Sequence, residues 1–166
     1  MAGINLKRFC GGADGPVYLR EPFTVGDFTY AANGHIFVRV PARGNIPEPA
    51  PSMMFNSYAA VADRIDAWLA GAPNFLFRGK MLPPMPKRAS QKPWTESFEI
   101  RGRPFAGQYV RMISRLPGAT IIGDMPDDRS GRGKKSRALL FAFDGDGFGG
   151  LMPLSWSLSN HHDTGI

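Results

Sequence analysis

Two apolar runs flank the dipeptide Asn33-Gly34 and form the clearest hydrophobic pattern of the chain. The runs cover residues 28–32 and 35–40 and are rich in aromatic and β-branched side chains, which favour strands. Asn-Gly is the preferred pair for a type I′ turn, because both central residues of that turn need a positive φ angle. The pattern therefore predicts a β-hairpin with Asn33 and Gly34 at its turn. The second strand is expected to end at Pro41, which has no N–H for a sheet ladder.

Residues 57–70 show apolar positions at helical spacing. Asn56 or Ser57 can cap the start of this segment, and Gly71 can end it. The apolar stripe consists of Tyr58, Val61, Ala62, Ile65, Trp68 and Leu69. The pattern predicts an amphipathic helix with this stripe in the core. For Trp68, a role in stacking on a ligand is the alternative to a place in the core.

A second amphipathic helix is predicted between residues 103 and 116. Pro104 suits the first turn of a helix, and Pro117-Gly118 would end it. Arg111 and Arg115 lie four residues apart and are therefore expected to share one exposed side, where they are solubilising or grip a phosphate backbone. The apolar face consists of Phe105, Tyr109, Met112, Ile113 and Leu116.

Short alternating or apolar runs elsewhere predict strands at residues 17–19, 97–101, 119–122, 139–143 and 148–154. The last two strands flank Asp144-Gly145-Asp146-Gly147, whose composition is typical of a turn, and they predict a second hairpin. Four prolines between Pro41 and Pro51 indicate an extended connector, which is interpreted as a spacer or as a docking segment for a partner.

These elements predict an α+β fold, in which an antiparallel β-sheet carries two amphipathic helices packed on one face. A chain of 166 residues is expected to form a single domain, here over residues 1–154. Residues 155–166 are polar and are expected to form a C-terminal tail.

The chain carries 20 Lys and Arg against 14 Asp and Glu, which gives a formal net charge of +6. Residues 78–137 hold 14 of these cations and 5 of the acids, so the basic character belongs to the middle and later part of the chain. This balance favours an anionic partner such as nucleic acid, although many small basic proteins bind none.

Cys10 is the only cysteine, which excludes a disulfide within the chain and a zinc site built from cysteines. A single cysteine fits the reducing cytoplasm. No apolar run reaches the ~20 residues that a membrane-spanning helix needs. The chain is therefore expected to be cytoplasmic and to have no membrane partner.

Two segments concentrate the positive charge, and both are predicted to be loops: residues 79–93 and residues 124–137. Trp94 follows the first loop. Cations bind phosphates and an indole ring can stack on a base, so the loops are candidates for nucleic-acid contact. Solvated surface loops, with Trp94 in the core, are the alternative. Together with the two helix arginines, the candidate nucleic-acid-binding residues are Lys87, Arg88, Lys92, Trp94, Arg111, Arg115, Arg129, Arg132, Lys134, Lys135 and Arg137.

The sequence contains no recognisable catalytic arrangement. It lacks the phosphate-binding loop G-x-x-x-x-G-K-[ST] and a G-x-G-x-x-G motif after a strand. His35 has no Ser or Cys nucleophile at an interpretable spacing, and Asp144 and Asp146 lack the further ligands and the distal Glu of a calcium loop. The protein is therefore expected not to be an enzyme and to bind neither a cofactor nor a metal. A small hydrolase that uses His35, Asp144 and Asp146 is the alternative.

Three short motifs resemble the bacterial β sliding clamp, the processivity factor of DNA polymerase. Residues 31–36, Ala-Ala-Asn-Gly-His-Ile, resemble the A-T-D-G-H-R hairpin of clamps. Residues 105–111, together with Leu116-Pro117, look like the clamp pattern of an aromatic residue, a tyrosine and arginines ahead of a proline. Residues 151–154, Leu-Met-Pro-Leu, are similar to the closing V-M-P-M of clamps. The motifs follow the clamp order, and uncharacterised phage and prophage proteins look similar over the same hairpin and ending.

A clamp has three such domains per chain, and this chain has room for about one. The resemblance implies an α+β domain with an outer sheet and two helices on a side that faces DNA.

Charge and resemblance together predict a non-enzymatic, phage-type, DNA-associated accessory protein with a clamp-like domain. DNA is the expected partner, and a host or phage protein and further copies of the chain are possible ones. The alternative is a phage inhibitor that binds a host or defence-system protein, in the manner of an anti-CRISPR protein. For a phage-encoded chain, the expected location is the host cytoplasm.

Overall fold

The computed structural model describes residues 3–49, 55–70, 80–81, 97–100, 103–124 and 138–154. The strands in these ranges are β1 (Phe23–Val25), β2 (Phe28–Ala32), β3 (Ile36–Pro41), β4 (Lys80–Met81), β5 (Ser97–Ile100), β6 (Arg103–Ala106), β7 (Thr120–Asp124), β8 (Leu139–Phe143) and β9 (Gly147–Leu151). The helices are α1 (Phe55–Ala70) and α2 (Gly107–Ser114), with two short 3-10 helices at Leu6–Phe9 and Val17–Leu19.

Seven strands form one antiparallel sheet in the order β1-β2-β3-β9-β8-β7-β4, and β5 pairs with β6 in a separate two-stranded sheet. The predicted α+β class, with an antiparallel sheet and two helices, is thereby confirmed. Within α1 the predicted stripe faces the protein: Ala62, Ile65 and Leu69 are buried. None of the described helices is long and apolar enough to cross a bilayer.

The two helices pack on opposite faces of the sheet, whereas both were expected on one face. The core beneath α1 includes Phe37 and Leu140, and the core beneath α2 includes Val38 and Phe141. Consecutive residues of a strand point to opposite faces, so these neighbouring pairs place the helices on opposite sides. The physical reason lies in β8, which is apolar at every position, because such a strand needs cover on both of its faces.

The β2–β3 hairpin is present as predicted, but its turn lies one residue further along the chain. The Asn33 amide donates to the Ile36 carbonyl at 3.1 Å, which leaves Gly34 and His35 as the two central residues. Gly34 has a φ of +91°, whereas Asn33 is outside the positive region. The cause is the Asn33 side chain, whose Oδ1 accepts the amides of His35 at 2.9 Å and Ile36 at 3.0 Å. This side-chain acceptor closes the turn without a left-handed Asn33 backbone.

The prediction that residues 103–106 open the second helix is wrong, because these residues form β6. They pair with β5, and Phe105 lies opposite Phe98. The Pro104 carbonyl also accepts the Leu154 amide at 2.9 Å. With this segment extended, α2 begins only at Gly107.

The prediction of a strand at residues 17–19 is also wrong. The Leu19 amide donates to the Pro16 carbonyl at 3.0 Å, and the Arg20 amide donates to the Val17 carbonyl at 3.2 Å. These bonds between residues three apart define a 3-10 turn, which starts at the fixed φ of Pro16.

The proline-rich connector packs against the outermost strand of the sheet. The Thr24 hydroxyl of β1 donates to the Ile46 carbonyl at 2.6 Å, and the Thr24 amide donates to the Pro47 carbonyl at 3.5 Å. The described part of the connector, up to residue 49, is therefore a packed part of the domain.

Both predicted basic loops begin on strands. Lys80 and Met81 form β4, and Asp124 is the last residue of β7. The remainder of the two loops, residues 82–93 and 125–137, lies outside the described residues, as does the predicted tail at 155–166.

Candidate nucleic-acid interface

Positive charge is divided unevenly between the parts of the chain. The described residues contain ten Lys and Arg and ten Asp and Glu, so their formal charges cancel. The net charge of +6 therefore arises from the other residues. Nine of the eleven predicted contact residues lie outside the described ranges, namely Lys87, Arg88, Lys92, Trp94, Arg129, Arg132, Lys134, Lys135 and Arg137.

One of the two remaining predicted contact residues, Arg115, lines a groove of about 440 Å³. Arg8 lines the same groove from the side of the first 3-10 helix. Among the described lining residues these two arginines are the only charged ones. We call this feature the Arg8–Arg115 groove. Its apolar lining consists of Ile4, Phe9, Met112, Leu116 and Pro117.

The other predicted helix residue, Arg111, does not line this groove. Arg111 is half-buried, whereas Arg115 is exposed, so the prediction that they share one exposed side is wrong. Val110, the residue before Arg111, is fully buried on the packed face of α2. The half-buried Arg111 lies at the border of that face. Arg115 comes directly after the last helical residue, and its amide donates to the Arg111 carbonyl at 3.3 Å.

Local structure explains why Arg8, rather than its neighbour Lys7, supplies charge to the groove. Asn5 caps the first 3-10 helix, because its Oδ1 accepts the Lys7 amide at 3.1 Å. The Lys7 ammonium forms an ion pair with Glu21 and donates to the Arg20 carbonyl at 2.7 Å. Arg8 forms no ion pair within the described ranges, so its charge is not compensated there.

The N-terminal wall of the groove is fixed by a second arginine contact. Nη1 of Arg43 donates to the Ile4 carbonyl at 2.7 Å. Arg43 follows β3, so this bond ties the N-terminal segment to the sheet. Leu6 and Phe9 are buried in the core beneath α2 and anchor the 3-10 helix that carries Arg8.

The three motifs that resemble the sliding clamp meet at the tip of the β2–β3 hairpin. Nδ2 of Asn33 donates to the Tyr109 hydroxyl of α2 at 3.2 Å. The His35 ring stacks on the Tyr109 ring, with the centroids 6.0 Å apart and 22° between the planes. The Met152 amide donates to the His35 carbonyl at 2.8 Å. The hairpin tip is thereby joined to the helix whose C-terminal end forms the groove.

The two basic segments leave the described structure at opposite ends of β7. Met81 pairs with Thr120, the first residue of β7. The C-terminus of α2, at Ser114, lies a few residues before Thr120, so the segment 82–93 begins at this end of the sheet. Asp124 pairs with Leu139 at the other end, so residues 125–137 connect to the sheet there. The first segment therefore starts at the same end of the sheet as Arg115.

Among the described residues, Cys10, His35 and the pair of Asp144 and Asp146 belong to three different segments. Burial is the main cause that raises the pKa of the Cys10 thiol to about 11, which keeps it protonated near neutral pH. His35 is exposed on the hairpin tip, and Asp144 and Asp146 are exposed in the β8–β9 turn. Within the described ranges, no three His, Cys, Asp or Glu residues are grouped closely enough to hold a metal ion.

Arg8 is the groove residue that sequence reasoning missed. It belongs to the dipeptide Lys7-Arg8, which carries no motif, and more than 100 residues separate it from Arg115. Only the packing of the first 3-10 helix beside α2 brings the two arginines to one groove. Comparison of the chain with protein-family models, with curated proteins and with solved structures found no match.

Proposed function

We propose that this protein is a non-enzymatic accessory protein that associates with DNA and contacts the phosphate backbone through the Arg8–Arg115 groove. The observation that carries the proposal is a groove with two arginines and no carboxylate among its described lining residues. Arginine binds phosphate with several donors of fixed geometry, and contacts to phosphates position a protein without reading sequence.

Two further observations support the proposal. The basic segment that contains Lys87, Arg88 and Lys92 follows β4, whose last residue, Met81, pairs with Thr120 at the end of the sheet that holds Arg115. The motifs that resemble the sliding clamp meet in space, through the bond of Asn33 to Tyr109, although they are far apart in sequence.

Binding of a fluorescein-labelled 20-base-pair duplex, measured by anisotropy between 50 and 200 mM salt, tests the proposal. The wild-type chain should lose affinity steeply with salt, because bound cations release counterions from DNA. The double variant Arg8→Gln/Arg115→Gln should lower the salt slope by about 1.8, since each phosphate contact to duplex DNA contributes about 0.9. Arg64→Gln is the matched control, because Arg64 lies on α1 across the sheet.

Wild-type protein that shows no salt-dependent binding to the duplex would contradict the proposed function. Wild-type binding that the double variant retains with an unchanged slope would reject the groove as the contact site. Size-exclusion mass with and without the duplex then gives the number of copies bound. A protein partner that stays bound after nuclease treatment would support the inhibitor alternative instead.

A further inference from the structure

A second cavity, of about 200 Å³, lies between α1 and the tip of the β2–β3 hairpin. This volume equals that of roughly seven water molecules in the bulk liquid, which suits one aromatic ring with a short side chain. The cavity lies on the face of the sheet opposite to the Arg8–Arg115 groove. Its lining is mainly apolar and includes Leu19, Val61, Ile65, Trp68 and Met152.

One wall of the cavity is aromatic and held in place. The half-buried Trp68 ring packs against the Phe37 ring, with the centroids 5.4 Å apart and 36° between the planes. Phe37 is itself buried in the core beneath α1. A fixed indole face of this kind suits contact with a flat, apolar ligand.

Arg64 is the one charged side chain among the described lining residues of the cavity. Arg64 of α1 and His35 of the hairpin tip both line it and are both exposed, and the described lining contains no Asp or Glu. Arg64 forms no ion pair within the described ranges. Of the acids near Arg64 on α1, Asp63 is exposed, and Asp66 is held by bonds to the sheet.

We propose that this cavity binds a small carboxylate with an apolar, ring-sized body, whose carboxylate contacts the Arg64 guanidinium. Small-molecule sites are typically apolar hollows with a few placed polar groups, which matches this lining. A guanidinium offers paired donors that fit the two oxygens of a carboxylate. The site does not depend on the proposed association with DNA, because it lies on the other face of the sheet.

Isothermal titration calorimetry of the full chain with 3-phenylpropionate tests the proposal, and 3-phenylpropanamide serves as the uncharged ligand control. The acid should bind with a Kd of about 0.1 to 1 mM, which is usual for a ligand of this size. The amide should bind about tenfold more weakly, because it lacks the charge that pairs with Arg64.

Two variants locate the site. Arg64→Gln should weaken binding of the acid about tenfold and leave the amide nearly unchanged. Val61→Phe should abolish binding of both ligands, because the added ring fills the cavity. The double variant Arg8→Gln/Arg115→Gln changes only the opposite groove and should bind the acid as the wild type does.

Three results would overturn the proposal: equal affinity of the wild type for acid and amide, undiminished binding of the acid by Arg64→Gln, or no heat of binding up to about 10 mM acid. The comparison of the two ligands uses the wild-type chain alone, so it holds even if a variant fails to fold. Loss of DNA binding in Arg8→Gln/Arg115→Gln with retained binding of the acid would separate the two sites.

Discussion

The Tyr30 hydroxyl of β2 donates to the Asp66 carboxylate of α1, at 2.9 Å to Oδ1 and 2.8 Å to Oδ2. Nη1 of Arg39 on β3 donates to the same carboxylate at 2.8 Å. Tyr30 is 1% exposed, so its hydroxyl depends on this partner in place of water. The cluster of Tyr30, Asp66 and Arg39 therefore fastens α1 to two strands of the sheet.

Tyr30→Phe removes one bond of this cluster and keeps the packing of the ring. We expect the free energy of unfolding to fall by about 1 kcal/mol, because Asp66 keeps Arg39 as a partner. Asp66→Ala should cost more, about 2 kcal/mol, because it leaves the buried hydroxyl and the guanidinium without their acceptor. Urea denaturation measures both values, and a smaller loss for Asp66→Ala than for Tyr30→Phe would contradict this account.

The same cluster predicts a loss of stability in alkali. Burial, and then the hydrogen bond to Asp66, raise the pKa of Tyr30 above its ordinary value near 10. The unfolded chain therefore loses this proton at a lower pH than the folded chain, so stability that is present below pH 10 declines as the pH rises further. In Tyr30→Phe the decline should be shallower. Urea midpoints between pH 8 and 11.5 test this, with Cys10→Ala as background because Cys10 titrates in the same range.

Asn33 is predicted to stabilise the hairpin tip through its side chain. Asn33→Ala removes the acceptor for two turn amides and the donor to Tyr109, and we expect a loss of about 2 kcal/mol in the free energy of unfolding. Asn33→Asp keeps the acceptor for the turn amides, and its second carboxylate oxygen can accept from the Tyr109 hydroxyl, so it should cost less than Asn33→Ala. A double-mutant cycle with Tyr109→Phe gives the coupling, and additive losses would show that the Asn33–Tyr109 bond contributes nothing.

Gly149 of β9 is predicted to tolerate no side chain. A Cβ there would lie 2.5 Å from the Phe37 carbonyl oxygen and even closer to the Phe141 ring. Because a backbone oxygen cannot move without disturbing the β3–β9 pairing, Gly149→Ala should cost about 2 to 3 kcal/mol. Gly12→Ala is the control, since no atom lies within 4 Å of its added Cβ, and its effect should stay within about 0.5 kcal/mol. Equal unfolding midpoints for the two variants would refute the prediction.

The basic segment 124–137 is predicted from sequence to add to DNA binding. Replacement of its five cations by Gln should reduce the salt slope by about 0.9 for each phosphate that the segment no longer binds. The control replaces Asp127 and Asp128 by Asn, which removes repulsion and should strengthen binding or leave it unchanged. Anisotropy titrations over a salt series measure both slopes. A neutralised segment with the wild-type slope would restrict DNA binding to the rest of the chain.

The parts of the fold that follow from neighbouring residues could be predicted from the sequence. The apolar period of α1 and the turn residues 144–147 of the β8–β9 hairpin indicated these elements correctly. The placement of the two helices on opposite faces of the sheet was not predicted. The unbroken apolar run of β8 indicates that both faces are covered, but it does not identify which element covers each face.

The candidate site was less predictable. Arg115 was found as one of two arginines on a helix, but its partner Arg8 comes from a segment whose position depends on tertiary packing. The turn of the first hairpin lies one residue later than predicted, because the Asn33 side chain accepts the turn amides in place of a backbone carbonyl. Turn-type propensities describe backbone angles alone and therefore do not predict this side-chain bond.

The bond from the Thr24 amide to the Pro47 carbonyl has a consequence for self-association. Open outer strands invite other chains to extend a sheet, and proteins limit this risk by shortening or covering them. Here the three-residue β1 has its outward amide occupied by the connector, and the opposite outer strand, β4, is two residues long. Copies of this chain that associate are therefore not expected to extend the seven-stranded sheet at β1.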